Sequence, residues 1–398
     1  MMNESIAFAL FWSAFLFVSY TFVLYPVMIF VVAQFINRQE RAADSSEPVP
    51  GAESISIIVA ARNEEENIYD KVIDLANQNF DSEQIEIIVV SDGSEDDTVL
   101  EIERAQSVLN AADTAIHVCL INKPNAEGKA AALNDAVARS TGTILIMTDA
   151  RQRFGADKDD RDAVRQLASV FADPAIGCVS GELYLVDEQS HALQKDLGLY
   201  WRIEKWIRRN EARIDSVPGV TGAIYAIRRE LFSPIPPQTL LDDVLIPLRV
   251  ILAGYRVTFN ERAVARDTAP SEVKKEWRRK VRTLAGNWQL LNLVPAAFIP
   301  IRNRIWLQFY SHKIFRLLAP FALIIMLISS GMVSGILYRS FFLVQGVAYL
   351  AAAVAALVPD VRRYRILGAI HTFVLLNLAA IAGFLYWITR RSHRAWVK

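Results

Sequence analysis

SISIIVAARNE, residues 54–64, is the stretch that decides the fold. Residues 54–61 are rich in β-branched side chains and apolar on both faces, which is typical of a strand buried between layers of helices. Arg62, Asn63 and Glu64 then end the strand, and the pattern after them predicts a helix over residues 65–78. We therefore expect this strand to lie inside a sheet that helices cover on both faces.

The alternation of strand and helix continues along the chain. Strands are predicted at residues 85–90 and 143–148, with a shorter one near 116–120, and helices from residue 96 or 97 and over 128–139. This alternation predicts an α/β fold with a doubly wound, mostly parallel sheet. The first strand is not followed by G-x-G-x-x-G, and no G-x-x-x-x-G-K-[ST] occurs anywhere, which argues against a dinucleotide oxidoreductase and a P-loop ATPase.

Polar side chains stand at three predicted strand ends, where ligands bind in such sheets. Arg62 and Glu64 follow the first strand, Asp92 the second, and Asp149 the strand over 143–148. Asp92 could accept hydrogen bonds from a nucleobase or a ribose, or it could form a turn before Gly93. Asp149 is typical of a divalent-metal ligand beside a pyrophosphate, with a capping or turn role as the alternative.

Two further segments carry candidate site residues. Lys129 stands at a predicted helix start, where a cation is unfavourable unless it meets an anion such as a diphosphate; an exposed lysine is the alternative. LLDDV, residues 240–244, places Asp242 and Asp243 side by side at the start of an apolar helix. One carboxylate can cap this helix while the other points into a cleft and accepts a proton, although both could be caps.

Charge and hydropathy are strongly segregated, although Lys+Arg and Asp+Glu both number 43. Residues 6–36 contain no Asp, Glu, Lys or Arg, and three further uncharged runs cover 317–338, 340–359 and 366–389. A bilayer core of about 30 Å needs about 20 apolar helical residues, so four membrane segments are predicted. The first run is too long for a signal peptide and lacks a basic stretch before it, which makes a cleaved signal the weaker alternative.

The Lys/Arg bias around the predicted spans gives an orientation. Nothing basic precedes the first run, whereas Arg38 and Arg41 follow it, which predicts a cytoplasmic middle domain. Lys313 and Arg316 agree, as do the arginines of segment 362–365. Four spans would place the basic tail, residues 390–398, outside; the alternative is that a late segment lies in the interface or re-enters. The two cysteines, Cys119 and Cys178, are predicted to be buried free thiols.

A cationic segment precedes the late spans. KKEWRRKVR, residues 274–282, holds six cations in nine residues, and residues 284–301 are uncharged but interrupted by Pro295 and Pro300. We expect an interfacial helix whose cations face anionic headgroups, or one in which Arg279 or Arg282 faces a diphosphate; its two faces allow both. The predicted domains are residues 1–38 (membrane helix), 39–53 (linker), 54–283 (catalytic domain), 284–316 (interfacial helices) and 317–398 (C-terminal membrane region).

Taken together, these motifs resemble glycosyltransferase family 2, in the membrane-embedded branch that includes cellulose, chitin, hyaluronan and poly-N-acetylglucosamine synthases. The resemblance covers roughly residues 54–290. It implies a GT-A fold and inverting transfer from a nucleotide diphospho-sugar, usually UDP-linked, in the synthesis of cell-surface polysaccharide. It also implies a glycan or polyprenyl-linked acceptor, contact with membrane lipid, no nucleic-acid partner, and a place in the bacterial inner membrane.

The resemblance assigns roles on the donor side. It places Arg62 and Glu64 near the base and ribose, and it matches Asp92 to the family's nucleotide-binding aspartate. Lys129 corresponds to the GK-x-x-x-LN segment that also belongs to the nucleotide site. Asp149 corresponds to the first aspartate of the D-x-D metal motif.

The resemblance also assigns roles on the acceptor side. Asp243 matches the catalytic base of the E-D motif, and Asp242 takes the place of its glutamate. The segment over 220–232, with Thr221 and Gly222, resembles the part that lines the acceptor pocket. Trp201 is expected to stack on a sugar nearby.

The chain departs from the family pattern at two places. Arg151 replaces the second aspartate of D-x-D, so a Mg or Mn ion would rest on Asp149 and the diphosphate alone, or Arg151 would contact phosphate. The Q-x-x-R-W signature appears only as Arg279-x-x-Arg282-Thr283, which favours transfer of few sugars, to a lipid carrier or a short glycan.

Three rival functions remain. The nearest is a polyprenyl-phosphate glycosyltransferase, and the second is a non-catalytic membrane protein that binds nucleotide sugars. A transporter is the third, disfavoured because the late spans hold no Asp, Glu, Lys or Arg.

Overall fold

A computed structural model of the chain describes residues 4–36, 54–80, 85–112, 116–157, 159–186, 199–268 and 273–389. The predicted linker over 39–53, Arg38 and Arg41 lie outside the described residues. So does the basic tail over 390–398.

A mixed sheet forms the centre of the middle domain. Within the described ranges its strands are β1 (Ile55–Ala61), β2 (Ile85–Asp92), β3 (His117–Lys123), β4 (Ile144–Asp149), β5 (Arg153–Phe154), β6 (Ile176–Val186), β7 (Tyr225–Arg228) and β8 (Arg256–Thr268). The order is β3-β2-β1-β4-β7-β6-β8-β5. Strands β3, β2, β1 and β4 are parallel, β7 is antiparallel to both its neighbours, β6 and β8 are parallel, and β5 is antiparallel to β8. The prediction of a mostly parallel sheet is confirmed.

Helices alternate with these strands and form the membrane region. They are α1 (Glu4–Ser19), α2 (Tyr25–Phe35), α3 (Ile68–Ala76), α4 (Thr98–Ala111), α5 (Lys129–Arg139), α6 (Ala163–Ser169), α7 (Leu199–Ile214), α8 (Asp242–Leu252), α9 (Val273–Leu293), α10 (Trp306–Phe309), α11 (Phe315–Met332), α12 (Ile336–Leu357) and α13 (Arg365–Ile388). A π-helical turn, Tyr20–Leu24, joins α1 to α2, and a second, Tyr310–Ile314, joins α10 to α11.

The central strand is buried on both faces, as its composition predicts. Ile57 and Val59 pack in the apolar layer under α3, α4 and α6, whereas Ile58 packs in the layer under α5 and α8. Each of these three side chains is fully buried. Because both faces are covered, polar groups can reach solvent only at the strand ends, and this places the site at the carboxyl edge of the sheet.

Four helical stretches in the described part of the chain are long and apolar enough to cross a membrane: Glu4–Phe35, Trp306–Met332, Ile336–Leu357 and Arg365–Ile388. The predicted number is the same, although the second begins earlier than residue 317. Large apolar side chains are exposed along them, among them Val344, Val347 and Leu350. These helices mark the chain as a membrane protein.

The cationic segment and the part of the uncharged segment up to Leu293 form one helix, α9, which ends just before Pro295. It crosses the predicted domain boundary at 283/284. Helix α9 packs along α13, and a Cβ on Gly383 would lie only 2.9 Å from the backbone N of Ala285. Trp288 stacks on Trp387 at a centroid distance of 5.9 Å. Helix α9 therefore connects the catalytic domain to the last apolar helix.

Candidate active site

Four charged side chains meet at the carboxyl edge of the sheet. The Lys129 ammonium, at the start of α5, lies 2.9 Å from Asp149 Oδ1 at the end of β4 and 3.3 Å from Asp242 Oδ2 at the start of α8. Asp243 follows Asp242 directly. We call Lys129, Asp149, Asp242 and Asp243 the strand-edge cluster. All four were predicted site residues, and the fold brings them together from three separate elements.

Lys129 is a permanent cation in this cluster. Burial alone would lower its pKa, but the carboxylates of Asp149 and Asp242 outweigh burial and raise it well above its ordinary value. The Asp149 side chain is 41% exposed, so a ligand can reach this carboxylate next to the ammonium. The pair therefore offers a positive charge and an accessible carboxylate at one point.

Asp243 is electrostatically distinct from its neighbour. Burial, reinforced by the charge of Asp242, raises its pKa to about 7, with Lys129 and Lys313 acting in the opposite direction. Its Oδ1 is buried without a hydrogen-bond partner in the described residues. A Cβ on Gly222 would lie 3.5 Å from Asp243 Oδ2, so the absent side chain leaves space at the carboxylate. A carboxylate whose pKa lies near neutral pH is suited to accept a proton.

Helix α9 positions the start of α8. Gln289 accepts a hydrogen bond from the Leu240 N–H at 3.0 Å and donates one to the Gln238 carbonyl at 2.9 Å. A Cβ on Gly286 would lie 2.5 Å from Leu241 Cγ, so α9 approaches this segment closely. The sequence analysis did not identify this contact, since a glutamine in an apolar stretch carries no signal of its partner.

Asp92 holds the loop that precedes α5. Its buried carboxylate accepts the Glu127 N–H at 2.9 Å and the Gly128 N–H at 2.7 Å. Gly93 has a φ of +62°, and a Cβ there would lie 2.4 Å from the Ala126 N, which explains why glycine follows Asp92. The carboxylate thus fixes the loop that delivers Lys129, a role that the sequence analysis did not anticipate.

Arg151 pairs with Glu64 and not with Asp149. Its Nε donates to both carboxylate oxygens of Glu64, at 2.8 and 3.0 Å. Asn67 also donates to Glu64, at 3.0 Å. The residue that replaces the second aspartate of D-x-D therefore lies at the end of β1, beside the partly exposed Arg62.

Helix α7 and the segment before β7 form the opposite wall. Arg208 donates to Thr221 Oγ1 at 2.9 Å and to Ser180 Oγ at 2.7 Å, and the Thr221 N–H donates to Ser180 Oγ at 3.0 Å. The Val220 N–H donates to the Asp243 carbonyl at 2.9 Å. Thr221 and Gly222, both predicted acceptor residues, therefore lie beside Asp243. Trp201 is on the same helix as Arg208; its side chain lies outside the described part.

Arg279 and Arg282 lie on α9 with exposed side chains. In the part of the chain that the structure describes, no hydrogen bond or ion pair joins either guanidinium to the strand-edge cluster. Thr283 follows them and is also exposed. Their proposed contact with a diphosphate stays a prediction.

The donor groups fit a divalent ion that is shared with the substrate. Within the described ranges no group of three or more His, Cys, Asp or Glu side chains is arranged to hold a metal. Magnesium at nucleotide sites is usually bound by one or two carboxylates together with substrate phosphates. Asp149 is an accessible carboxylate of this kind, and its Oδ1 also pairs with the Lys129 ammonium at 2.9 Å, so a metal ion would share it with Lys129.

Two family models match the chain. "Glycosyl transferase family 2" matches residues 56–235, and "Glycosyl transferase family group 2" matches residues 157–386, which is more than half of the chain. The fold and the site define a membrane protein with a GT-A-type catalytic domain. The chain belongs to glycosyltransferase family 2.

Curated relatives include the Probable glycosyltransferase YdaM of Bacillus subtilis (strain 168), 25% identical over 262 residues, which cover 63% of this chain and 59% of that one. An N-acetylglucosaminyltransferase of Azorhizobium caulinodans is 24% identical over 63% of this chain and 64% of its own length. A poly-beta-1,6-N-acetyl-D-glucosamine synthase of Staphylococcus aureus (strain COL) is 22% identical over 65% and 61%. The chain thus spans about three fifths of the length of these relatives.

A solved structure is similar over nearly the whole chain. It is the mannosyltransferase PcManGT from Pyrobaculum calidifontis in complex with GDP-Man and Mn2+, with a TM-score of 0.69, 20% identity, and coverage of 97% of this chain and 98% of that chain. At this identity the likeness concerns the fold, and it confirms the predicted GT-A architecture.

Proposed function

We propose that this chain transfers a hexosyl or N-acetylhexosaminyl group from a UDP-linked sugar, with inversion, to a hydroxyl of a glycan or lipid-linked acceptor in cell-surface polysaccharide synthesis. The reaction takes place at the cytoplasmic face of a bacterial inner membrane. The observation that carries this proposal is the strand-edge cluster, in which Lys129 bridges Asp149 and Asp242 while the proton-accepting Asp243 lies beside them. The names of the glycosyltransferase relatives support it.

The reaction is a single displacement. The acceptor hydroxyl gives its proton to Asp243, and its oxygen forms a bond to the anomeric carbon on the face opposite the diphosphate. The bond between that carbon and the diphosphate oxygen breaks, and the nucleoside diphosphate leaves with the electron pair. Lys129 stabilises the charge that develops on the leaving group, because its ammonium is fixed before the reaction begins.

The other predicted residues take supporting positions. Arg62, Glu64 and Asp92 are proposed to bind the nucleoside, and Arg279 and Arg282 to face the open side of the diphosphate. A Mg or Mn ion held by Asp149 and the diphosphate would neutralise part of the phosphate charge. Trp201, Thr221 and Gly222 are proposed to line the acceptor pocket.

The test is nucleotide release from purified protein in lipid nanodiscs, measured across a panel of nucleotide sugars with a membrane extract as acceptor source. Asp243→Asn should lower the turnover by at least about 100-fold, because the amide cannot accept the proton, while binding of the nucleotide sugar persists. An Asp243→Asn protein that is folded and keeps full turnover would refute the assignment of the base.

A further inference from the structure

The wall between α7 and the π turn Tyr310–Ile314 is rich in buried charge. The Glu204 carboxylate accepts a hydrogen bond from Arg316 at 2.6 Å and lies 2.7 Å from His312 Nε2. Glu211 lies 2.9 Å from His312 Nδ1, and Tyr25 from the first membrane helix donates to it. Burial would raise the pKa of Glu204, but His312 and Arg316 hold it well below its usual range. These carboxylates are fully engaged by cations and hydrogen-bond donors.

Two cations of the same wall, Arg208 and Lys313, have no carboxylate in direct contact among the described residues, although Glu204 and Glu211 act on both of them electrostatically. The hydrogen bonds of Arg208 go to the neutral hydroxyls of Ser180 and Thr221. The partly buried Lys313 forms no ion pair or hydrogen bond with any described residue. Burial lowers the pKa of Arg208, and the surrounding glutamates offset this only in part. Because neither cation is in direct contact with a carboxylate, the burial of its charge is only partly offset, and an anion from outside the chain would complete the pairing.

Both cations lie beside the proposed base. A Cβ on Gly219 would lie 3.8 Å from Lys313 Cε and 3.6 Å from the Asp243 carbonyl, which places Gly219 between them. Arg208 binds Thr221, and the next residue, Gly222, lies against the Asp243 carboxylate. Lys313 comes from the membrane stretch Trp306–Met332. The two glycines add no side chain of their own on this side of Asp243.

We propose that Arg208 and Lys313 form a subsite that binds a phosphate group of a lipid-linked acceptor. A neutral glycan gives two unpaired cations no counter-charge, whereas a phosphate gives both of them charge-assisted hydrogen bonds. A lipid carrier suits the site because one of the two cations stands on a membrane helix. The inference rests on the proposed function and leaves its reaction unchanged: the phosphate anchors the acceptor, and a hydroxyl of the same acceptor attacks.

The test measures equilibrium binding of radiolabelled farnesyl phosphate to the full chain in phosphatidylcholine nanodiscs. Saturating UDP is present so that the donor side, at Lys129, is filled. The Kd of farnesyl phosphate should be about tenfold lower than the inhibition constant of farnesol, which is measured by competition. The reason is that a hydrogen bond to a charged group contributes about 1.5–3 kcal/mol. Inorganic phosphate should compete poorly, because it lacks the lipid chain.

Lys313→Met should weaken binding of farnesyl phosphate about tenfold and leave farnesol unaffected, whereas Lys313→Arg should retain most of the affinity. Arg339→Met is the matched control: it removes an exposed cation at the start of α12, away from Asp243, and should bind like the wild type. Thermal unfolding of each variant, with Lys313→Gln as a second neutral substitution, separates loss of the subsite from loss of the fold.

Equal binding of farnesyl phosphate and farnesol, or wild-type affinity in Lys313→Met, would overturn the proposal. If inorganic phosphate displaced the labelled ligand as effectively as unlabelled farnesyl phosphate does, the site would be one for free anions, and the lipid assignment would be overturned. Failure of the proposed function is a separate result: farnesyl phosphate would bind through Lys313, but no nucleotide sugar would be turned over with any acceptor.

Discussion

Asp242 and Asp243 are adjacent in the chain but differ in their surroundings. Asp242 lies 3.3 Å from the Lys129 ammonium, whereas Asp243 forms no ion pair within the described residues and has a pKa raised to about 7. Burial and the charge of Asp242 are the causes of that shift. The Asp242 carboxylate therefore holds the Lys129 ammonium in place, and the Asp243 carboxylate is left to exchange a proton.

The raised pKa of Asp243 predicts the pH dependence of transfer. The base must be ionised, so kcat/KM should rise about tenfold per pH unit below pH 7 and level off above it. Asp242→Asn removes a charge that raises this pKa, so the midpoint should move to lower pH. The measurement is a pH profile of nucleotide release at low donor concentration, and a midpoint that does not move would exclude Asp243 as the titrating group.

The same shift predicts an effect on stability. A carboxyl whose folded-state pKa is raised binds more protons when folded than when unfolded, so its contribution to stability falls as pH rises from about 4 to 7. Asp243→Asn removes this penalty. The variant should therefore unfold at a higher temperature than the wild type at pH 8, and the difference should vanish near pH 4.

Lys129→Met removes the ammonium that two carboxylates share. We expect transfer to fall on the order of 100-fold, because a fixed charge for the leaving diphosphate is lost. Arg104→Met is the control, since Arg104 makes an exposed pair with Glu101 at 3.3 Å and a cation–π contact with the Tyr69 ring at 4.7 Å, and neither involves the strand-edge cluster. Steady-state kinetics of both variants test this, and comparable losses would show that Lys129 has no special role.

At the residue scale, the sequence predicted the members of the strand-edge cluster but not their supporting contacts. Asp149 and Lys129 were identifiable because a strand end and a helix start are local signals. Arg208 and Lys313 were not, because their position beside Asp243 depends on how α7 and the π turn pack. Asn134 is another example: its side chain donates to the Ile235 carbonyl at 2.8 Å and accepts the Ile235 N–H at 2.9 Å, a clamp that spans 101 residues.

At the scale of elements, the first half of the sheet was predictable and the second half was not. β1, β2 and β4 begin and end within two residues of their predicted bounds, because strands that are apolar on both faces have a clear signature. β7 has only four residues, and its antiparallel pairing with β4 and β6 is determined by tertiary packing. That pairing nevertheless brings Thr221 and Gly222, just before β7, to Asp243.

The close approach of α9 to α8 gives a prediction at this scale. Gly286→Ala places a Cβ 2.5 Å from Leu241 Cγ, and such overpacking costs about 1–3 kcal/mol. Both the thermal midpoint and the turnover should fall, because Leu241 directly precedes the two aspartates. Gly346→Ala is the matched control in a helix, since nothing lies within 4 Å of its Cβ. Equal thermal midpoints and turnovers in the two variants would contradict a coupling through α9.

At the scale of the whole molecule, contacts define two sides of the membrane region. Glu4 accepts a hydrogen bond from the Ser334 N–H at 2.8 Å, so the start of α1 and the α11–α12 connection share one side. Phe30 stacks on Trp206 of the catalytic domain at 5.2 Å, which places the other end of the first span with that domain. The start of α1 and the catalytic domain therefore lie on opposite sides, and the cytoplasmic placement of that domain stays a prediction.

Helix α13 is long enough to span, yet the contact of its far end with α9 predicts that both of its ends lie on the catalytic side. It follows α12, which starts at the Ser334 side and, at about 1.5 Å per residue, crosses the bilayer in its 22 residues. Its far end nevertheless contacts α9, with Phe384 at 5.0 Å and Trp387 at 5.9 Å from Trp288. A helix that begins and ends on one side lies in the interface, and we therefore predict that α13 does not cross the bilayer, which is the alternative that the charge bias of the sequence left open.

Cysteine accessibility tests this placement. On a background without Cys119 and Cys178, Ser334→Cys should react with a membrane-impermeant maleimide in intact cells, whereas Thr389→Cys should react only after permeabilisation. Arg302→Cys, on the exposed segment after α9, serves as the cytoplasmic control. Labelling of Thr389→Cys in intact cells at the rate of Ser334→Cys would mean that α13 crosses the bilayer. The contact between Trp288 and Trp387 would then have to form within the membrane, and the charge bias of the tail would have no structural explanation.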